Sequence, residues 1–190
     1  MELNMSIEDS IKKSILTVNS DIGSANGLPN KFYTSKELFE YEKESVFFNN
    51  WCGIAYGSDV PDIGDIKALE FLNIPIIIVR TEKEKIQVFE NVCRHRGMIL
   101  VEKNAKNKKH IRCPYHNWCY GIDGELLSTP HIGGIGEHNH RDIRKNELGL
   151  NKIRSYIWKD TIFINISGNA LSFDDHFSRL KKRWSDFDQP

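Results

Sequence analysis

Four side chains near the middle of this 190-residue sequence could do chemistry together: Cys93 and His95, then Cys113 and His116. They read as Cys-x-His, 17 intervening residues (96 to 112), then Cys-x-x-His. Thiolates are soft donors suited to iron–sulfur iron, and imidazole suits an iron that is to be reduced. A [2Fe–2S] centre in which two cysteines hold one iron and two histidines hold the other calls for this donor set. Each Cys/His pair sits on its own short loop, so neither loop builds the site without the other. Zinc also takes four Cys/His donors, usually from Cys-x-x-Cys and His-x-x-x-His halves. Here each half mixes one Cys with one His, and the first gap is a single residue, which favours the cluster.

The elements that must position these loops are mostly strands. Trp51 to Tyr56, Ile66 to Leu72, Ile76 to Thr81 and Ile86 to Glu90 have strand composition. They are punctuated by Pro61 to Asp65, Asn73-Ile74-Pro75 and the charged tip Glu82 to Lys85. The first ligand loop follows the fourth strand directly. Ile99 to Glu102 and His110 to Arg112 predict a hairpin with the ligand loops at its open end. Its lysine-rich turn (Lys103, Lys106, Lys108, Lys109) then lies roughly 13 Å from the ligands and reads as solvated. Arg94 and Arg96, flanking His95, are the better placed cations for steering a partner. Trp118 to Gly121 with Glu125 to Ser128 predicts another hairpin, and Leu148 to Trp158 with Thr161 to Ile166 a closing one around Lys159-Asp160.

Helices flank this core. Ile7, Ile11, Ile15 and Val18 recur at helical spacing, predicting an amphipathic helix over residues 5 to 18 that docks on its own domain in preference to a partner subunit. Residues 19 to 30 read as a linker. Thr34-x-x-Glu37 is a capping box that opens a helix to about Asn49. Asp174 to Phe187 predicts a helix after Ser172 whose apolar stripe (Phe173, Phe177, Leu180, Trp184) has little left to cover and points to something absent. His131, His138 and His140 lie in a Gly-rich stretch without periodicity and read as a loop rather than a metal site.

Composition excludes several classes. Lys plus Arg equal Asp plus Glu at 26 each, so no nucleic-acid surface is expected. The longest apolar run, Ile74 to Val79, is far too short to span a membrane, and it is interrupted by Pro75. Met1-Glu2-Leu3-Asn4 lacks the basic start and apolar stretch of a signal peptide, so a cytoplasmic location is expected. With Cys93 and Cys113 taken as ligands, Cys52 and Cys119 remain as small buried hydrophobes.

Cys93-Arg94-His95-Arg96-Gly97, Cys113-Pro114-Tyr115-His116-Asn117-Trp118 and Tyr120-Gly121-Ile122-Asp123-Gly124-Glu125-Leu126 together resemble the N-terminal Rieske domain of a ring-hydroxylating oxygenase α subunit. Tyr33-Thr34, Phe39-Glu40-x-Glu42 and Phe47-Phe48-Asn49-Asn50-Trp51 extend the similarity upstream, and Thr161-Ile162-Phe163-Ile164-Asn165 downstream, so it covers roughly residues 30 to 170. Asn117 departs from the Gly more usual there, and Asn is the next most tolerant residue of unusual backbone angles. The resemblance implies a mainly β (α+β) fold, an antiparallel β-sandwich with a small cluster-binding subdomain between N- and C-terminal helices. It implies that residues 1–30 are a helix and linker, 31–170 the Rieske domain, and 171–190 the start of a linker toward a catalytic domain.

The respiratory Rieske proteins carry an extra disulfide and a serine donor to the cluster. Met98 and Tyr115 stand at the disulfide positions here and Trp118 at the serine, so a potential near the low end of the Rieske range, about −150 mV, is expected. The resemblance further implies a reductase or ferredoxin as electron donor, a homotrimer in the full-length protein, and a mononuclear Fe(II) in a 2-His-1-carboxylate triad. Asp174-Asp175-His176 has both residue types but no second His at helical spacing. About 20 residues follow the closing strand, whereas a domain needs on the order of 100. The triad is therefore expected outside this sequence, which carries the electron-transfer half. A stand-alone Rieske ferredoxin is the alternative, and the flanking helices weigh against it.

Overall fold

The computed structural model describes residues 7 to 187. The chain divides into two compact units, Met1–Phe47 and Phe48–Pro190. In the first, α1 (Ile7–Val18) precedes α2 (Lys31–Thr34), α3 (Lys36–Glu42) and a π-helical turn, Lys43–Phe47. Residues 5 and 6 of the expected first helix lie outside the described residues. Ile11 and Ile15 of α1 share one recess with Phe32, Leu38 and Tyr41, so its apolar stripe faces the helices of its own unit.

The helix expected from Thr34 to Asn49 is present as α3 with its π-helical continuation to Phe47, but it opens later than expected. The Thr34 hydroxyl donates to the Asn30 carbonyl at 3.2 Å and closes α2 instead of opening a helix. Ser35, extended at ψ 121°, is the true cap of α3, its Oγ accepting from Leu38 N–H at 3.3 Å.

The second unit is mainly antiparallel β, as expected. Six strands form one sheet in the order β1 (Cys52–Tyr56), β9 (Thr161–Asn165), β8 (Lys152–Trp158), β4 (Lys85–Glu90), β3 (Ile74–Glu82), β2 (Ile66–Phe71). Three short strands, β5 (His110–Arg112), β6 (Cys119–Gly121) and β7 (Leu126–Ser128), form a second sheet. The apolar run in β3 is buried on both faces. Ile77 and Val79 join a core with Phe89, Cys93, Cys113, Trp118 and Tyr120, while Ile76 and Ile78 join one with Val88, Ile153, Ile162 and Ile164. The first of these cores is the floor of the ligand loops.

The turn expected at Asn73-Ile74-Pro75 is tighter. Leu72 and Asn73 both take positive φ (51° and 70°), as a two-residue type I′ hairpin requires, and β3 starts at Ile74. Lys159 and Asp160 do the same between β8 and β9 (50° and 62°).

The hairpin expected from Ile99 to Arg112 does not form, because β5 pairs with β6 instead. The intervening chain crosses to β2, where Ala105 bridges Ile66 and Asn107 N–H donates to Asp65 Oδ1 at 3.1 Å. The distance argument built on that hairpin therefore does not apply to the lysines.

The expected C-terminal helix is α4 (Phe173–His176) and α5 (Ser178–Trp184), broken at Phe177, with a final 3-10 turn at Ser185–Phe187. Contrary to expectation, its stripe has a surface to cover. Phe173 is buried beside Tyr156 (4.2 Å between ring centres, stacked), Phe177 (4.4 Å), Phe163 (4.9 Å) and Trp51 (5.4 Å, edge-on). Buried Asn165 ties the chain around it, donating to the Phe48 and Asn50 carbonyls at 3.0 and 3.1 Å and accepting from Ala170 N–H at 3.1 Å. No described helix is long and apolar enough to cross a membrane.

Candidate metal centre

The two ligand loops are built alike. In the first, Cys93 N–H donates to the Met98 carbonyl at 2.8 Å and Gly97 N–H to the Cys93 carbonyl at 3.0 Å. In the second, Cys113 N–H donates to the Trp118 carbonyl at 2.8 Å and Asn117 N–H to the Cys113 carbonyl at 3.0 Å. Each loop needs a left-handed residue before it can close, and Gly97 (φ 69°) and Asn117 (φ 56°) supply it at matching positions. The tolerance expected of Asn117 is thus used. Val92 bridges Ile99 across the base of the first loop, and buried Asn91 clamps it by exchanging hydrogen bonds with the Val101 backbone at 2.6 and 2.9 Å.

These loops bring all four expected residues together as two pairs. The Cys93 and Cys113 thiols are neighbours in the same core, and both are buried. The imidazoles of His95 and His116 stand edge to face, 4.8 Å between centres. Nδ1 of each ring is buried and has no hydrogen-bond partner among the described residues. Leaving a buried polar atom unpaired costs roughly 1–3 kcal/mol. Two such atoms on neighbouring rings are candidate metal donors. Among the described residues no three His, Cys, Asp or Glu side chains converge as one ion's sphere requires. A thiol pair beside an imidazole pair fits a two-iron cluster better than a single zinc.

Aromatic rings frame the imidazoles. The buried Trp118 ring stacks on His95, 4.7 Å away and nearly parallel, while half-exposed Tyr115 lies 3.7 Å from His116. Among the described residues nothing accepts the buried Trp118 N–H. Burial, then the neighbouring His116 and Arg96, holds the His95 pKa below the usual histidine range, which keeps its lone pair free. Burial likewise pushes the Cys93 thiol up.

Sequence reading missed one contact in this site. The fully buried Tyr120 hydroxyl lies 3.4 Å from Cys93 Sγ, and its pKa is raised by burial, so it remains a donor at neutral pH. A donor at a ligand sulfur stabilises the reduced state and works against the low potential expected from Trp118 alone. Its one sequence signal is a tyrosine in the strand that leaves the second loop.

The other candidates have local duties. Nδ1 atoms of His131, His138 and His140 accept backbone N–H groups from Gly136, His131 and Asp142 at 2.9, 3.2 and 3.3 Å. Asp174 pairs with Lys181 and accepts from the Tyr156 hydroxyl, and Asp175 N–H is capped by Ser172.

Residues 50–144 match the Rieske [2Fe-2S] domain family. The chain is 31% identical over 153 residues to the carnitine monooxygenase oxygenase subunit of Escherichia coli K12, covering 80% of this chain and 40% of that protein. It is 29% identical over 156 residues to the α subunit of 2-aminobenzenesulfonate 2,3-dioxygenase from an Alcaligenes species, covering 82% and 39%. Among solved structures it superposes on naphthalene 1,2-dioxygenase from a Rhodococcus species with a TM-score of 0.80 and 28% identity, over 93% of this chain and 39% of that one. A quaternary ammonium Rieske monooxygenase bound to gamma-butyrobetaine gives 0.74 and 29%, over 85% and 45%. The chain thus spans about 40% of the length of the curated relatives it matches.

Proposed function

The chain belongs to the Rieske [2Fe–2S] domain family, and on that footing we propose that it is the electron-transfer region of a Rieske oxygenase α subunit. The observation that carries this reading is the pair of buried, unpartnered Nδ1 atoms on His95 and His116 beside the Cys93 and Cys113 thiols. Cys93 and Cys113 would hold one iron, and His95 and His116 the other. When bound, the cluster supplies reversible one-electron transfer at low potential. The chain's own residues do the rest. The shared apolar core beneath the loops keeps water from the thiol side. Trp118 fixes the plane of the His95 ring by stacking, and Tyr115 covers His116 at the exposed side.

In this reading residues 31–170 are the Rieske domain, 1–30 a helix and linker, and 171–190 lead toward a catalytic domain holding a mononuclear Fe(II). A reductase or ferredoxin is the electron donor, and Arg94 and Arg96 beside His95 steer it. The full-length protein is a trimer and hydroxylates an organic substrate. The relatives include both a monooxygenase and a dioxygenase subunit, so the substrate and the reaction type belong to the second domain rather than to this one.

The test is metal and acid-labile sulfide analysis, with electron paramagnetic resonance of the dithionite-reduced protein. About two irons and two sulfides per chain and a rhombic spectrum with average g below that of an all-thiolate cluster are expected. A colourless protein holding one zinc would overturn the reading. His116→Cys should retain a cluster and lower its midpoint potential, since a thiolate favours the oxidised iron. An unchanged midpoint would remove His116 from the ligand set.

A further inference from the structure

Asn151 lies 58 positions beyond Cys93 (151 − 93), in the irregular stretch before β8, and no motif marks it. Three hydrogen bonds hold it at the foot of the first ligand loop. Its carbonyl accepts from Glu90 N–H at 2.9 Å, at the end of β4. Its side-chain amide donates from Nδ2 to Glu90 Oε2 at 2.7 Å, and its Oδ1 accepts from the Arg94 guanidinium at 2.7 Å. Asn151 therefore bridges the last residue of a sheet strand to the residue between Cys93 and His95. Arg94 is otherwise exposed, and a solvated arginine on a loop would be free to move.

The chain of contacts continues inward. The Arg94 backbone N–H donates to the Tyr120 hydroxyl oxygen at 3.1 Å. A phenol carries one hydrogen and two lone pairs. With the peptide N–H directed at the oxygen, the phenol hydrogen is left for the remaining neighbour, Cys93 Sγ at 3.4 Å. The orientation of the sulfur's hydrogen bond thus depends on where the Arg94 peptide sits. That peptide is anchored by the loop and, through the Arg94 side chain, by Asn151.

We infer that Asn151 is a positioning residue for the cluster: through Arg94 it sets the Tyr120 hydroxyl on the Cys93 sulfur and so raises the midpoint potential. The inference rests on the reading of Cys93 as a cluster ligand. Hydrogen bonds to a ligand sulfur stabilise the reduced state because that state carries more negative charge on the sulfurs. Removing Asn151 leaves the Arg94 side chain in solvent and the Glu90 carboxylate without its amide donor, and the peptide between the two ligands loosens.

The experiment is a redox titration of the purified, cluster-loaded protein, following the reduced-state resonance signal in wild type, Asn151→Ala, Tyr120→Phe and the double variant. Tyr120→Phe removes the donor outright and is expected to lower the midpoint. Asn151→Ala should lower it in the same direction by less, with iron and sulfide content unchanged. The double variant should titrate with Tyr120→Phe alone, since a relay through an absent hydroxyl has no effect. An unchanged midpoint in Asn151→Ala overturns the inference. So does an additive shift in the double variant, which would assign the effect to the displaced Arg94 charge. If Asn151→Ala does not load, Arg94→Met breaks the same link from the other side and is read against Tyr120→Phe in the same way. A wild-type protein with no cluster signal would sink the functional reading instead, so the two failures are distinct.

Discussion

At the scale of single residues, the two ligand loops pose the same steric problem and solve it with different residues. Each reverses direction between its histidine and its closing hydrogen bond, and each needs positive φ there. Gly97 meets this without a Cβ, whereas Asn117 meets it with one, at φ 56°. Left-handed backbone costs an ordinary L-residue about 1–2 kcal/mol. Asn117→Val should therefore destabilise the loaded protein by about that much, while Asn117→Gly should leave its denaturation midpoint within experimental error of wild type or slightly above. Chemical denaturation followed by tryptophan fluorescence reads both, and equal midpoints for the two variants would show that the second loop carries no such strain. The four candidate ligands were legible because Cys and His at those spacings are rare and chemically pointed. Tyr120 and Asn151 were not, since their contribution comes from contacts made 26 and 57 residues away in sequence, and a buried tyrosine or a loop asparagine has no spacing to betray it.

At the scale of elements, the sequence was most readable where a strand pair closes on a two-residue turn, because alternation on both sides and turn chemistry between them point to one register. Lys159-Asp160 was placed correctly for this reason. Residues 99 to 112 were misread for the opposite reason. Ile99 to Val101 has strand composition, yet Ile99 bridges Val92 and Val101 is held by Asn91, while the chain beyond them pairs through Ala105 with Ile66 at the β2 edge, and local pattern cannot choose between a near and a distant partner. What fixes that crossing is polar. Buried Asp65 accepts from Asn107 N–H at 3.1 Å and from Asp62 N–H at 3.3 Å, the Gly64 carbonyl accepts from Lys108 N–H at 2.9 Å, and Ala68 N–H reaches the Asn104 side chain at 3.0 Å. Asp65→Ala would remove the carboxylate that accepts from the Asn107 and Asp62 N–H groups, at a cost of about 1 kcal/mol. Hydrogen exchange should show the loss concentrated at residues 104 to 108, with the β8–β9 pair unaffected. Uniformly faster exchange would mean that the carboxylate supports the whole sheet rather than this crossing. The C-terminal helices were misjudged for a similar reason. Tyr156 and Phe163 alternate outward on β8 and β9, but that they form a seat for Phe173 follows only once the two strands are paired.

At the scale of the whole molecule, 26 cationic and 26 anionic side chains cancel, so no net field drives unfolding near neutrality and the acid limb of stability reflects local pairs. One such pair joins the sheet to the turn after β1. Asp59 Oδ1 lies 2.9 Å from the Lys67 ammonium of β2, and its other oxygen accepts from Tyr56 N–H at 2.9 Å. The Lys67 hydrogen bond first, then that of Tyr56, holds the Asp59 carboxyl below the usual aspartate range. A carboxyl whose pKa is depressed by folding contributes stability fully above its unfolded value, about 3.9, and loses it as pH falls through the folded value. Both partners are partly solvated, so the contribution is that of a surface pair, about 0.5 kcal/mol. Asp59→Asn keeps the size and an acceptor for Tyr56 while removing the charge. Its stability deficit should be near 0.5 kcal/mol at pH 7, hold constant to about pH 5, and shrink toward zero as pH falls below about 4. Raising the salt from 0.05 to 1 M at pH 7 should narrow it too, since the pair is exposed enough to be screened. Urea denaturation of both proteins across that range gives the difference directly, and loss of the cluster at low pH is common to the two. A deficit that persists undiminished at pH 3 would assign the cost to packing at the turn, and the carboxylate charge would then contribute nothing to holding β2 against it.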